Sequence, residues 1–521
     1  MLKAIAHNLF ERLERAFDYA FTPAWNPFHY LGALGWYFFW IVLVSGIYLF
    51  IFFDTGIVHA YEAVEAITHA QWYAGGVMRS LHRYASDALV VVVFVHILRE
   101  WAKDRYRGAR WFAWFTGVPL LWFIYICGIS GYWLVWDELA QYIAVATTEW
   151  LDTLGVFGEP LARNFLNHNA LSDRFFTLMV FVHILVPLLM LFLMWIHIQR
   201  NSHALVNPPL GLALGTLITM TVMSLMHPAL SHPPADLDRV VTTANLDWYY
   251  LAVYPLLDVM PGRWLWAALG IGTLLLLITP WVPPLRRPPV AAVNLPNCNG
   301  CARCVADCPF NAIEMRARTD GLPFEQEAVV DAGNCVACGV CAGACPTSTP
   351  FRRASELVPG IDLPDVSIAA LREQTLAACA KLAGEARVLI YGCEHGPPIE
   401  QLASESVATV RLRCSGQLPP AFIDFALTRG HVDGVLIAGC RPGDCHYRLG
   451  GQWARARIAA TRDPQLRARV PRERLELLWS GMSGLAKLER TLAALRARLV
   501  PLGSYQRPHQ PKTAQESGNG N

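Results

Sequence analysis

The 521-residue chain is poor in charge: 16% of it is Asp, Glu, Lys or Arg, against 54% hydrophobic residues, and the formal net charge is +2. It holds no dense basic run, so nothing in it points to nucleic acid as a partner. A cleavable signal peptide is also missing. The opening MLKAIAHNLFERLERAFDYAF has a charged, amphipathic helical pattern and no apolar h-region. It predicts a helix lying on a membrane surface. No G-x-G-x-x-G fingerprint stands in a strand–turn–helix setting, which leaves any flavin or nicotinamide enzyme to a separate subunit. Internal repetition is confined to one cysteine-rich stretch. Without a secretion signal, the fourteen cysteines fit metal clusters better than a disulfide framework.

What is present begins with six apolar segments long enough to span a bilayer, roughly 32–53, 80–99, 112–136, 175–198, 209–227 and 263–282. The Lys/Arg-rich loops REWAKDRYRGAR (99–110) and PLRRPP (284–289) follow the second and sixth. The positive-inside rule makes both cytoplasmic, and with them the N-terminus and everything after Pro289. Beyond the linker VPPLRRPPV lies a cysteine-dense stretch, 294–350. From about 385 the short apolar runs RVLIYGC, ATVRLRC, GVLIAGC and LELLWSG alternate with helical segments, the rhythm of a small α/β domain with a parallel sheet. The tail GSYQRPHQPKTAQESGNGN (503–521) reads as disordered. The expected fold is multidomain: an all-α bundle of six transmembrane helices, a small α+β two-cluster module, and an α/β iron–sulfur domain. Expected boundaries are 1–200 and 201–289 for the membrane part, 290–356 for the module and 385–500 for the last domain.

Two of the membrane segments carry histidines at one spacing. His82 and His96 in the second, and His183 and His197 in the fourth, are each fourteen residues apart. On a helix that spacing returns to within about 40° and rises ~21 Å, so each helix presents two rings on one face. Both segments run in the same direction. Like pairs with like: His82 with His183 on the outer side, His96 with His197 on the cytoplasmic side. Two such pairs can each hold a haem iron through both axial positions. The plainer alternative is four polar residues joining helices. Glycines repeat at the same fourteen-residue interval, Gly32 with Gly46 and Gly117 with Gly131, leaving room for a flat macrocycle or for close helix packing.

With NPFHYLGALGWYFF, AYEAVEAITHAQWYAGGVMRSLH, GISGYWLVWDE and LSDRFFTLMVFVHILVP in this order, residues ~10–200 resemble cytochrome b of bc-type quinol-oxidising complexes. The resemblance implies that His82 and His183 hold a low-potential haem b, and His96 and His197 a high-potential one. It gives Arg79 to a haem propionate, where an interface anchor is the alternative. NLDWYYLAVYPLLDVMPG (245–262) looks like the family's Pro-Glu-Trp-Tyr segment at the outer quinol site. Asp247, followed by Trp248 and Tyr249, stands at the position of a glutamate that takes a quinol proton; Leu246 replaces the proline. A carboxylate capping a helix start is the alternative. Val135 departs from the family, which has proline before the tryptophan there. His203, close after His197, is a candidate for an inner quinone site.

The next signal is tighter. Cys298, Cys301, Cys304 and Cys308-Pro309, then Cys335, Cys338, Cys341 and Cys345-Pro346, both spell C-x2-C-x2-C-x3-C-P. In this two-cluster ferredoxin pattern the fourth cysteine serves the other cluster. One [4Fe–4S] cubane takes Cys298, Cys301, Cys304 and Cys345; the other takes Cys335, Cys338, Cys341 and Cys308. Zinc has no regular counterpart of this spacing.

Four more cysteines stand at predicted strand ends or just past one: Cys393, Cys414, Cys440 and Cys445. Ligands of an open parallel sheet gather at the carboxyl ends of its strands, so these thiols can hold a [2Fe–2S] cluster, with buried structural cysteines as the alternative. Cys379 falls in a predicted helix. RLRCSGQLPPAFIDFALTRGHVDGVLIAGCRPGDCHYRLGG resembles the iron–sulfur delta subunit of methyl-viologen-reducing hydrogenases over roughly 385–495. That family commonly has a further cysteine after the first; here the stretch is GCEHGPP, with Cys393 beside His395. The parts read as a membrane electron-transfer subunit linking the quinone pool, through two haems b and the clusters, to a cytoplasmic flavoprotein that is ferredoxin-, NAD(P)H- or heterodisulfide-reductase-like. A bacterial inner membrane is the expected location, and a homodimer is compatible with the pattern. Two other readings stay open: a bc-type subunit working with a Rieske protein, and a membrane scaffold that docks redox enzymes.

Overall fold

The structure, a computed structural model, describes residues 2–156, 158–161, 166, 173–199, 203–241, 244–282, 288–353 and 357–505. The chain divides into two compact units, residues 1–286 and 287–521.

The first unit is helical: α1 (Leu2–Trp25), α2 (Leu31–Phe52), α3 (Ala60–Glu65), α4 (Val77–Ala102), α5 (Trp111–Val135), α6 (Glu138–Asp152), α7 (Asp173–Gln199), α8 (Leu210–Met226), α9 (Tyr254–Val259) and α10 (Gly262–Ile278). Among the described residues, five helical stretches are long and apolar enough to cross a membrane: Pro27–Phe52, Trp72–Ala102, Gly108–Val135, Phe176–Gln199 and Gly262–Trp281. The fifth expected span, 209–227, is α8, apolar but of 17 residues. At 1.5 Å per residue it reaches ~25 Å, the short end of what crosses a ~30 Å hydrocarbon core. Helix α2 packs along α4, and α5 along α7. Asn26 accepts from the Phe28 amide at 3.0 Å ahead of α2, and Asp137 from the Ala140 amide at 2.9 Å at the start of α6. Between α5 and α6, Trp136 takes a left-handed φ of 53°.

Helix α1 is amphipathic as expected, with Glu11 and Glu14 turned inward. Leu2, Ile5 and Leu9 are exposed, whereas Glu14 is fully buried. The Glu14 carboxylate lies 2.7 Å from Arg99 Nε and 2.8 Å from Lys103 Nζ, both on or just after α4. The outer face therefore suits lipid, while the inner face is tied to the bundle by a buried ion pair.

The second unit holds β1 (Ala292–Val293), α11 (Arg303–Asp307), β2 (Ile313–Ala317), β3 (Gln326–Val330), α12 (Val340–Ala344), β4 (Ile361–Asp362), α13 (Ile368–Cys379), β5 (Val388–Cys393), β6 (Val407–Leu412), α14 (Ala421–Arg429), β7 (Gly434–Gly439), α15 (Gly450–Ile458), β8 (Leu475–Trp479) and α16 (Leu485–Leu499). Antiparallel pairs β1–β4 and β2–β3 belong to the cysteine module, with Ile313 opposite Val330. The other four strands are parallel in the order β6-β5-β7-β8. Strands β5 and β7 are buried along their whole length, which explains apolar runs without alternation. The strand order reverses between β5 and β7, where an open sheet leaves its ligand crevice.

Helix α13 precedes the expected domain start at 385, yet Ile368, Leu371 and Cys379 share a core with Leu389, Tyr391 and Val410. Its Thr375 hydroxyl lies 2.9 Å from Tyr391 Oη. The module and the α/β domain are joined by Arg457 of α15, which is wholly buried. It donates to Gly416 O at 2.8 Å and Val340 O at 3.2 Å, and pairs with Asp307 of α11. Of the expected disordered tail, residues 506–521 lie outside the described residues. Gly503 is held, its carbonyl accepting from Arg474 at 3.0 Å.

Candidate redox centres

The histidines fall on the helices in the expected way, His82 and His96 on α4 and His183 and His197 on α7. The His82 and His183 ring centroids are 6.2 Å apart. An iron between two imidazoles, with metal–nitrogen bonds of ~2 Å and rings of ~1.2 Å radius, needs ~6.4 Å. The His82–His183 pair therefore has the separation that an iron held by both imidazoles would need.

Each expected glycine faces one of the four imidazoles. A Cβ on Gly46 would lie 3.0 Å from His82 Cε1, and one on Gly131 3.0 Å from His183 Cε1. The corresponding distances are 3.5 Å for Gly32 to His96 and 3.5 Å for Gly117 to His197. The glycines thus make room for the imidazole edge, a closer demand than room for a macrocycle. A signal that the sequence reading missed stands just before them. Ser45, Thr116 and Ser130 each immediately precede one of these glycines. Their hydroxyls lie 3.2 Å from His82 Nδ1, 3.0 Å from His197 Nδ1 and 3.0 Å from His183 Nδ1. Thr116 donates its hydroxyl proton to Phe112 O at 2.9 Å, and Ser130 to Ile126 O at 2.7 Å. Those oxygens are then left to accept from Nδ1–H. His82 Nδ1–H also has Val42 O at 2.9 Å. With Nδ1 occupied, Nε2 keeps its lone pair for a metal, the arrangement that orients histidine ligands generally.

The segment 245–262 is organised by Asp247. Its Oδ1 accepts from the amides of Tyr249 at 3.1 Å, Tyr250 at 2.6 Å and Leu251 at 3.1 Å. Its Oδ2 is taken by the Tyr132 hydroxyl and by Arg83 Nη2 at 3.4 Å. Both oxygens of Asp247 are therefore engaged. Trp248 is exposed, and the Tyr249 hydroxyl faces Asp87 of α4. Tyr250 is buried against Gly128, where a Cβ would come within 2.1 Å of its ring. Arg79 donates to Thr68 and to Ser231 Oγ at 2.8 Å, and lies 3.6 Å from Glu65. His203 is exposed, with a left-handed φ of 53°.

In the cysteine module one pocket is lined by Cys298, Cys301, Cys304 and Cys345. Burial pushes the Cys304 thiol up to about 12, with Cys301, Cys345 and Cys298 adding to it. Burial likewise pushes Cys338 up to about 12, and its sulfur neighbours are Cys308 and Cys335. Cys341 is raised too, by burial and then by Cys338, Cys308 and Cys335. Each fourth cysteine thus stands with the other triplet. Crowded, desolvated thiols of this kind keep their protons until a soft cation displaces them, and the donor sets fit iron–sulfur clusters.

The last four thiols also converge. Cys393 Sγ is 3.6 Å from Cys440 Sγ. Hydrogen bonds from Cys414 and Cys440 draw Cys393 well below the usual thiol range, and the same two thiols do so for Cys445. Cys414 and Cys440 are correspondingly raised by Cys393 and Cys445. Cys393, at the end of β5, and Cys440, just after β7, flank the point where the strand order reverses. Gly450 opens α15 beside them; a Cβ there would fall 2.1 Å from Cys414 Sγ. Four sulfurs linked in close pairs, Cys393 and Cys445 each with Cys414 and Cys440, fit a metal or a small cluster. Beside them the rings of His395 and His446 stack at 3.7 Å, with Tyr447 4.8 Å from His446. Cys338 of the module and Cys414 share one buried cluster with Val340, and Tyr447 packs against it.

Comparison with known proteins divides the chain in the same places. Residues 17–202 match the family model for cytochrome b/b6/petB, residues 297–349 that for a 4Fe-4S dicluster domain, and residues 400–503 that for the delta subunit of methyl-viologen-reducing hydrogenase. The chain thus carries a cytochrome b domain, which implies haem b, a dicluster domain, which implies iron–sulfur clusters, and a hydrogenase delta-subunit-like domain. It is a multi-pass membrane electron-transfer subunit.

Among its relatives, cytochrome b of Acanthamoeba castellanii is 24% identical over 296 residues, 51% of this chain and 76% of that protein. Cytochrome b of Rhodospirillum rubrum is 24% identical over 289 residues, 49% of this chain and 70% of that protein. A solved chain titled "Hyperthermophilic respiratory Complex III" aligns with TM-score 0.41 and 20% identity over 48% of this chain and 74% of its own.

Proposed function

We propose that the chain carries electrons between the membrane quinone pool and a cytoplasmic flavin-dependent oxidoreductase. His82 with His183 and His96 with His197 would hold two haems b. The two crossed cysteine quartets would hold [4Fe–4S] clusters, and Cys393, Cys414, Cys440 and Cys445 a [2Fe–2S] cluster. When bound, these groups supply one-electron carriers. The protein's part is to fix them. Ser45, Thr116 and Ser130 set the histidine tautomer, and buried thiols exclude water. Cys338 and Cys414 share a buried cluster with Val340, against which Tyr447 packs. That shared cluster is the observation that supports the reading most directly, because it extends the soluble relay one centre beyond the dicluster module. In this reading the membrane is the bacterial inner membrane, and the Arg99–Arg110 loop and the second unit face the cytoplasm. Electron transfer across the bilayer is then coupled to the membrane potential, about 2.3 kcal/mol per charge per 100 mV.

Purification of the full chain from native membranes, with identification of its partners, tests this. A stoichiometric flavoprotein and a b-type α-band on dithionite reduction are expected. Co-purification of a Rieske protein without a flavoprotein would overturn the soluble half of the proposal, and absence of the α-band the membrane half.

A further inference from the structure

The segment expected to supply the proton acceptor of the outer quinone site holds a carboxylate with little left to give. Asp247 accepts three backbone amides on one oxygen and Tyr132 and Arg83 on the other. The Glu-to-Asp change shortens the side chain, which is then absorbed into ordering its own turn. A second carboxylate stands beside it. Asp87, on α4, pairs through Oδ2 with Arg83 Nε at 3.1 Å. Its Oδ1 is buried and makes no hydrogen bond of full geometry among the described residues, although the Tyr249 hydroxyl interacts with this carboxylate. A buried carboxylate oxygen short of donors is costly, and such an atom in a native protein calls for a partner. The charged and titratable groups facing Asp87 are Arg83, Tyr84, Tyr249, Tyr250 and Asp247. Tyr249 belongs to the outer-site segment, so Asp87 lies at the wall where that segment meets α4.

We infer that Asp87, rather than Asp247, is the carboxylate that exchanges a proton with the quinol at the outer site, with Arg83 and Asp247 as positioning residues. The inference rests on the quinone-site reading above. In the oxidative direction the quinol O–H bond breaks and its electron pair stays on the quinol oxygen. An O–H bond forms at Asp87 Oδ1, and the negative charge passes from carboxylate to quinolate. The reverse step protonates a reduced quinone.

The test uses the full chain in detergent with decylubiquinol and a menaquinol analogue, comparing Asp87→Asn, Asp87→Glu and Asp247→Asn. Two readouts are taken: the rate of quinol-driven haem reduction, and the redox-induced infrared difference band of a protonated carboxyl group. Asp87→Asn is expected to slow reduction at least ~100-fold and to abolish the band, with its dithionite-reduced spectrum unchanged. Asp87→Glu restores a shifted band, and Asp247→Asn keeps the original one. An Asp87→Asn variant that retains rate and band, or a band lost only in Asp247→Asn, overturns the inference while leaving the quinone site standing. If neither quinol reduces the haem of the unmodified chain, the quinone-site reading fails and this inference with it.

Discussion

At the scale of single residues, the proposed haem sites are set by atoms too small to draw attention. Gly46 and Gly131 leave 3.0 Å to the histidine edge, whereas Gly32 and Gly117 leave 3.5 Å. The first distance is tighter than ordinary carbon contact and the second close to it, so one methyl group separates the two pairs. Gly46→Ala and Gly131→Ala are expected to lose the haem of His82 and His183, while Gly32→Ala and Gly117→Ala keep both. Haem per chain by pyridine haemochrome, falling from two to one in the first pair of variants alone, checks this. The hydroxyls make a gentler prediction. Ser130→Ala removes the partner of His183 Nδ1 and is expected to weaken haem affinity about 10–100-fold, the usual cost of an outer-shell partner. Haem transfer to apomyoglobin gives the measure; an unchanged transfer rate would show the hydroxyl to be idle.

At the scale of elements, the short helices α11 and α12 would carry the proposed exchange of ligands between the two cysteine runs. Cys308 follows α11 and Cys345 follows α12, and each turns away from its own triplet. Cys345→Ser is therefore expected to disturb the cluster of Cys298, Cys301 and Cys304 and spare the other; Cys308→Ser does the reverse. Electron paramagnetic resonance of the reduced protein distinguishes them, since each variant should alter one signal of the interacting pair. A variant that lost the signal of its own triplet would refute the crossing.

At the scale of the whole molecule, the most deeply buried polar tie between the two sequence modules is a guanidinium. Arg457 is wholly buried and bonds Gly416, Val340 and Asp307, which lie on three separate pieces of chain. Breaking a buried ion pair from one side leaves the other charge stranded, at ~3–5 kcal/mol. Here Arg462 also reaches Asp307, at 2.6 Å from its Nε, and keeps part of that compensation. Arg457→Ala is expected to lower the urea midpoint for bleaching of the iron–sulfur absorbance, while the haem α-band persists at the same urea concentration. A midpoint equal to that of the unmodified chain would mean the two modules hold together without it.

Periodicity and spacing by themselves determined most of the membrane helices, the four-histidine frame, the eight-cysteine pattern and the parallel sheet. Each depends on a repeat that local geometry imposes: 3.6 residues per helical turn, strand runs buried on both faces, and tight loops around a cluster. α8, at 17 residues, shows the limit of this reading, because hydropathy marks an apolar stretch without fixing where the helix ends. Helix α13 was not legible as part of the α/β domain, since its place depends on contacts with strands that follow it in the chain. The tertiary structure alone decided the rest. It used up both oxygens of Asp247, left Asp87 with a buried oxygen short of donors, and turned Glu14 of α1 inward onto Arg99 and Lys103. The physical reason is common to all three. Whether a carboxylate is a base, a cap or an anchor depends on which donors surround it, and those donors come from segments up to 164 residues away.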